Sequence, residues 1–277
     1  MARAAQFSVG AFLHRYMWLL LSLPFLLFIS VPILALFFRL TPVEFLRGLD
    51  LAQVQQAVRL SLLTSTITVL LTVLFGTPVA YLIHRRRSRF SRLLDSLVDL
   101  PTVLPPAVAG VALLLALGRR GFLGGWLEGS GIHIPFTTLA VILAQTFIAA
   151  PLYIKSAALG FANVPCELKK AAALDGANRW QTFTNIMVPM SWMSLLSGCV
   201  MTWARSLGEF GATIIFAGNF PGRTQTMPLA IYLGFELDLS VAITLAIVLI
   251  ALSFVTLVVV KGLLHEHIDA AQEEPFD

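Results

Sequence analysis

Residues 17–38 run for 22 positions without one charged side chain, and comparable apolar runs recur at 60–83, 100–118, 134–154 and 239–260. A helix rises 1.5 Å per residue, so about 20 apolar residues are needed to cross roughly 30 Å of hydrocarbon. A further run begins near Pro189 and passes Trp203 to reach Ile214 and Ile215, interrupted by Arg205 and Glu209. Lipid offers the backbone no hydrogen-bond partner outside the chain, which makes helices the expected form of such runs. The expected fold class is therefore all-α: a polytopic membrane protein with six transmembrane helices and both termini on one side.

Composition agrees. Apolar residues make up 57% of the 277 and charged residues 12%, about half the charge of a soluble protein. The net charge of +4 follows from basic loops beside a membrane and does not argue for a nucleic-acid partner. Cys166 and Cys199 lie far apart, one in a polar stretch and one in an apolar run, so small-apolar packing is expected of each rather than a disulfide. The first run is too long for a signal-peptide core and reads as a retained helix. Three segments result: residues 1–53 with the first span, a transmembrane unit at 54–261, and an acidic tail at 262–277 that reads as disordered or loosely docked.

Lys and Arg in the connecting segments set the orientation. With the N-terminus inside, the inner segments hold 12 of them and the outer segments 7, and the Arg85, Arg86, Arg87 cluster is the strongest single vote. Both termini are then cytoplasmic. Several local expectations follow. Pro101, Pro105 and Pro106 break or bend the start of the third span, and Pro151 kinks the fourth near its exit. Residues 50–59 read as a short interfacial helix before the second span. The Gly-rich segment 121–133 is an outer loop, and 226–235 is a short helix on or dipping into the outer surface.

One polar island stands among the spans: ELKKAAALDGANRWQTFTNIMVP, residues 167–189, between the fourth and fifth. Ala171, Ala172 and Ala173 favour a helix, while Gly176, Ala177 and Asn178 break it. Trp180 and Phe183 then present large apolar groups before Ile186 and Pro189 lead into the fifth span. A helix, a glycine turn and a second amphipathic piece can dock into a groove on a soluble partner. Anchoring of Trp180 and Phe183 among lipid headgroups is the other reading.

Motifs for chemistry are absent. The nearest stretch to a phosphate-binding loop, Gly218 to Thr224, lacks the spacing and the Lys that a phosphate cradle needs. Any ATP hydrolysis would therefore occur on another polypeptide. His265 and His267 flank Glu266 on the tail, a weak metal arrangement better read as solvated, so no metal site is expected. No nucleophile–base set appears, and an enzyme has little support. The charges in the fifth run carry more weight. Arg205 and Glu209 stand one helical turn apart, with Gly208 and Gly211 beside them and Thr213 beyond. Charges at membrane depth face a bundle interior or a wet cavity. They form either a neutralising pair that holds the helix or the border of an anion path; the glycines permit close approach or a bend. Ser61, Thr64, Ser65 and Thr213 could line that path or simply pack.

At this point the chain resembles a known family. Glu-Ala-Ala, three residues, Gly, nine residues, Ile-x-Leu-Pro is the cytoplasmic-loop signature of the membrane subunits of binding-protein-dependent ABC importers. Here Lys170-Ala171-Ala172, Gly176 and Ile186-Met187-Val188-Pro189 match its spacing. Lys170 stands where the family has Glu, with Glu167 one turn earlier as the nearest acidic substitute, and Val188 stands where it has Leu. The runs ARSLGEFGATIIFAGNFPGRTQTMPLAIY, residues 204–232, and LPTVLPPAVAGVALLLALGRRGFLG, residues 100–124, look like the molybdate and tungstate permeases.

The resemblance implies a type I importer permease fold and a homodimer with the pathway at its interface. It also implies two cytoplasmic ATPase subunits that bind ATP and Mg, an extracytoplasmic oxyanion-binding protein, and no cofactor on this chain. The loop at 164–189 becomes the ATPase-coupling loop, and Arg205, Gly208, Glu209, Gly211 and Thr213 become candidates for the translocation pathway. A sulfate or thiosulfate permease of the same architecture is the nearest rival. A stand-alone channel or ion-driven carrier, working without an ATPase, is a more distant one.

Overall fold

The computed structural model describes residues 2–84 and 89–272. The Arg85, Arg86, Arg87 cluster lies outside the described residues, as do the side chains of His265, Glu266 and His267. In chain order the helices are α1 (Ala2–Arg39), α2 (Pro42–Leu49), α3 (Ala52–Ile83), α4 (Arg89–Val103), α5 (Pro106–Leu117), α6 (Gly124–Gly129) and α7 (Thr138–Asn163). Then come α8 (Cys166–Leu174), α9 (Arg179–Thr182), a π-helical turn (Phe183–Met187), α10 (Val188–Met190), α11 (Trp192–Leu207), α12 (Gly211–Ala217), α13 (Met227–Leu237) and α14 (Leu239–Gln272). No strand occurs among the described residues. Among the described residues four helices are long and apolar enough to cross a membrane, and the number reaches six when each of two sharply bent helix pairs counts as one span.

The helix α7 is the centre of the bundle. It packs along α3 and α11, and 56% of its most apolar stretch is buried, against none in α1. Small residues make this possible: Ala140, Ala144, Ala149 and Ala157 are fully buried. Glycines on the neighbours complete the fit, since a Cβ on Gly198 of α11 would lie 3.1 Å from the Tyr153 backbone. In a bilayer, where lipid tails are as apolar as leucine, close backbone approach of this kind drives association. One fully buried amide also joins three helices. Thr68 Oγ1 of α3 donates to Gln145 Oε1 of α7 at 3.2 Å, and Gln145 Nε2 donates to the Ser206 carbonyl of α11 at 3.1 Å.

The bend expected at the start of residues 100–118 is present: α4 and α5 meet at 115°, while Pro101 lies within α4 without breaking it. Pro105 and Pro106 carry no backbone N–H, so the helix cannot continue through them. The α5 piece has 12 residues, about 18 Å, which is short of a full crossing. Before the bend, α4 is amphipathic and is held to α7 by Lys155, which bonds both Asp95 and, at 2.8 Å, Asp99. The fifth run is likewise divided. Arg179–Met190 and Trp192–Leu207 meet at 70°, and a second break at Gly208, Glu209 and Phe210 separates α11 from α12.

Other differences are local. Residues 50–59 are no separate interfacial helix: α3 starts at Ala52 and continues unbroken for 32 residues. The short helix lies one segment earlier, in α2, closed by a reciprocal Thr41–Glu44 capping box. The segment 121–133 contains α6, and the tail is helical in its backbone as far as Gln272. Pro151 sits within an uninterrupted α7. The short helix expected near 226–235 is present as α13, and it is buried at Met227, Leu229, Ala230 and Gly234.

The half-length helices α5 and α12 pack tightly against each other. A Cβ at Gly110 would lie 2.8 Å from the Ala212 carbonyl oxygen and 2.9 Å from Ile215 Cβ. Gly110→Val is therefore expected to lower stability by about 1–3 kcal/mol, read as a lower melting temperature of the detergent-solubilised protein. An unchanged melting temperature would mean that this contact is not made.

Candidate coupling loop and bundle interior

Two regions gather the residues with functional promise, one at each end of α11. The first is the loop between α7 and α11. Its turn is specified by three residues. Gly176 takes φ +85°, a conformation that costs glycine nothing and other residues about 1 kcal/mol or more. Its N–H donates to the Ala173 carbonyl at 3.2 Å and the Ala177 N–H to the Ala172 carbonyl at 2.9 Å, the Schellman closure of a helix. Two residues on, Asn178 opens α9 with a capping box. Its side chain accepts from Gln181 N at 2.9 Å, and its own N–H donates to Gln181 Oε1 at 2.8 Å. The stop and the start are both hydrogen-bonded, so the turn is a defined elbow.

The faces of this elbow are unequal. Glu167, Lys170, Ala171, Trp180 and Pro189 are exposed, with Ala172 buried and Ala177 and Ile186 half-buried. Trp180 is 71% exposed and Leu174 88% exposed, an apolar pair left largely uncovered by the described residues. Phe183 behaves differently. It is half-buried among the rings of Tyr81 at 5.2 Å, Phe161 at 5.6 Å and Trp180 at 5.8 Å. It is a link from the elbow to the ends of α3 and α7, not an outward docking group. Leu174 was missed by sequence reasoning; an isolated leucine just before Asp175-Gly176 in a polar loop was the available signal. Tyr81 and Phe161 carried none, because only the fold brings them to Phe183.

The second region is the break at the far end of α11, about 24 Å along a helix of 16 residues. Arg205 Nη1 lies 3.0 Å from Glu209 Oε2. The Glu209 side chain is 1% exposed and its other oxygen accepts from Ala212 N at 2.9 Å, at the start of α12. One carboxylate thus neutralises a guanidinium and caps a helix at its positive end. Gly211 allows α12 to meet α5, where a Cβ would stand 2.8 Å from Pro106 Cβ, while Gly208 faces open space. Thr213 is fully buried and its hydroxyl has no partner among the described residues. The tightly packed hydroxyls of Ser61, Thr64 and Ser65 bond within or across helices: Ser61 Oγ accepts from Met227 N at 2.7 Å, and the other two donate to carbonyls of their own helix. All three are buried. Among the described residues no group of His, Cys, Asp and Glu could hold a metal.

Comparison with known proteins bears on both regions. The model of the family described as binding-protein-dependent transport system inner membrane component matches residues 73–270. A probable transport system permease protein NifC from Clostridium pasteurianum is 44% identical over 203 residues, covering 73% of this chain and 71% of that protein. The molybdenum transport system permease protein ModB of Mycobacterium tuberculosis is 38% identical over 228 residues, covering 82% and 86%. In fold, the chain superposes on one from the crystal structure of a bacterial alginate ABC transporter in complex with its alginate pentasaccharide-bound periplasmic protein. The TM-score is 0.68 at 20% identity, over 92% of this chain and 93% of that one. The breadth of the family match and the helical layout converge: this chain belongs to the binding-protein-dependent transport system inner membrane components, as a multi-pass permease subunit of type I fold that carries no ATPase of its own.

Proposed function

We propose that the chain is the permease of an ATP-driven importer that moves molybdate into the cytoplasm, working as a homodimer with two cytoplasmic ATPase subunits and an extracytoplasmic binding protein. The observation that carries the substrate is the likeness to ModB over 86% of that protein's length, which takes in both the elbow and the break. Tungstate, a tetrahedral oxyanion like molybdate, is accepted with it. In this reading the elbow faces the cytoplasm, which the excess of Lys and Arg in the segments on that side supports, and both termini lie on the same side.

Leu174 and Trp180 dock into a groove on the ATPase, each contributing about 1.5–3 kcal/mol when covered. Glu167 and Lys170 flank that surface, and the charge at Lys170 calls for an acidic partner. Closure of the ATPases displaces the elbow, and Phe183 carries the displacement to α3 and α7. The helix α11, which continues from the elbow, conveys it to the break at Gly208. There Arg205 borders the anion path while Glu209 holds it in place. ATP and the loaded binding protein must favour the same arrangement of the two subunits for this to drive transport.

Proteoliposomes holding the permease with its ATPase, supplied with binding protein and ATP, test this directly. Labelled molybdate is expected to accumulate, with tungstate competing and an excess of sulfate not. Accumulation of sulfate in preference to molybdate would turn the reading to the sulfate permease, and uptake without the ATPase would turn it to a carrier.

A further inference from the structure

The loop that joins α12 to α13 holds buried hydrogen-bonding groups that the permease scheme does not use. Gln225 is 2% exposed and Thr226 1% exposed. Gln225 Nε2 and Thr226 Oγ1 have no partner among the described residues, although burial makes an unpaired polar group costly. Thr226 occupies the N-cap of the 11-residue α13, yet its side chain makes no capping bond. The first N–H of that helix is taken, since Met227 N donates to Ser61 Oγ at 2.7 Å, and Pro228 has none to offer. An amide N–H and a hydroxyl therefore stand unused at the positive end of a helix.

Such a set has the chemistry of an oxyanion site. We propose that the N-terminus of α13, with Gln225 and Thr226, is a subsite for a tetrahedral oxyanion on its way through the permease. Its place supports this. Tyr232 of α13 lies 5.3 Å, ring to ring, from Phe210 in the break that follows Glu209, and Met227 shares one buried cluster with Leu207. The subsite and the Arg205–Glu209 pair thus belong to one region, at the end of the bundle away from the elbow. Arg223 is exposed on the same loop and supplies attraction at longer range. The donors at the helix end are neutral, which suits an ion that must leave again. Asn219 adds one acceptor: its Nδ2 donates to the Leu229 carbonyl at 3.1 Å, and its buried Oδ1 is open to a water or hydroxyl proton beside the anion.

The subsite rests on the proposed oxyanion transport, and isosteric variants test it apart from that reading. Thr226→Val and Gln225→Met remove one donor each without changing volume. In the intact permease–ATPase complex without binding protein, each is expected to weaken equilibrium binding of labelled molybdate by about tenfold. Uptake in proteoliposomes slows in parallel, the melting temperature holds or rises, and Thr226→Ser restores binding. If the groups merely pack or hold a water, both variants bind and transport as the parent protein does, and the subsite is refuted. Loss of co-purifying phospholipid with molybdate binding unchanged would also refute it, assigning the donors to a lipid phosphate. Should the parent complex transport sulfate and not molybdate, the proposed substrate fails while the subsite is judged by the same variants with sulfate.

Discussion

Replacing Glu209 by alanine is expected to destabilise the permease more than any other single change in the bundle. The carboxylate is almost fully buried and makes two bonds, to Arg205 at 3.0 Å and to Ala212 N at 2.9 Å. Breaking a buried pair from one side costs about 3–5 kcal/mol, because the surviving charge stays in place without its counterpart. Arg205 keeps 38% of its side chain exposed, which draws the figure toward the lower end. Loss of the cap on α12 adds about 1 kcal/mol. Glu209→Gln separates the two effects, since it retains an acceptor for Ala212 N and gives up only the charge. The measurements are the amount of protein inserted, its melting temperature in detergent, and molybdate uptake by the assembled complex. Glu209→Ala is expected to fall in all three, with Glu209→Gln between it and the parent. Parent-like melting and uptake in Glu209→Ala would show that the pair neither holds the break nor serves the path.

Gly176→Pro addresses the other end of α11. Proline fixes φ near −65°, whereas Gly176 sits at +85° and donates its N–H to Ala173. Both the angle and the bond are lost, so the Schellman closure cannot form. Nothing lies within 4 Å of the position where a Cβ would stand, so the substitution reshapes the elbow without disturbing the spans. The protein is expected to insert with its spans intact and to melt somewhat below the parent, by no more than the local loss at the elbow. ATP hydrolysis by the reconstituted complex loses its stimulation by loaded binding protein, and uptake falls by an order of magnitude or more. Gly176→Ala, costing about 1 kcal/mol in conformational preference, is expected to retain partial coupling. Stimulated hydrolysis and full uptake in Gly176→Pro would remove the elbow from the transmission path.

Much of this architecture can be read from the residues where the physics is local. Runs such as 17–38 and 239–260 declare themselves because hydropathy is additive and membrane thickness is fixed. The elbow is legible because glycine, asparagine and glutamine at set spacings make their own bonds. The Thr41–Glu44 capping box is equally local, whereas the polar side chains Gln55, Gln56 and Arg59 imitate a separate interfacial helix while lying on the single long α3. The break at the start of residues 100–118 is legible too, because Pro105 and Pro106 lack the amides a continuous helix needs, whereas the 115° angle between α4 and α5 is set by packing. Burial of Phe183 depended on Tyr81 and Phe161, and the idle donors at Gln225 and Thr226 on how α13 meets α3. Such groupings arise only from the packed fold.

The Gln145 amide has a consequence for how the bundle can move. Its two hydrogen bonds fasten α3, α7 and α11 at one level, among fully buried groups. Sliding any of these helices lengthwise would sever a bond worth about 0.5–1.5 kcal/mol net and strand its partners without water. Tilting about that level leaves both bonds in place but works against Ser156–Ser194, Thr202–Ala149 and Thr77–Tyr153, which join the same helices nearer the elbow. The three helices are therefore pinned together beside the break, and a push that spreads them at the elbow must first part the bonds that lie between.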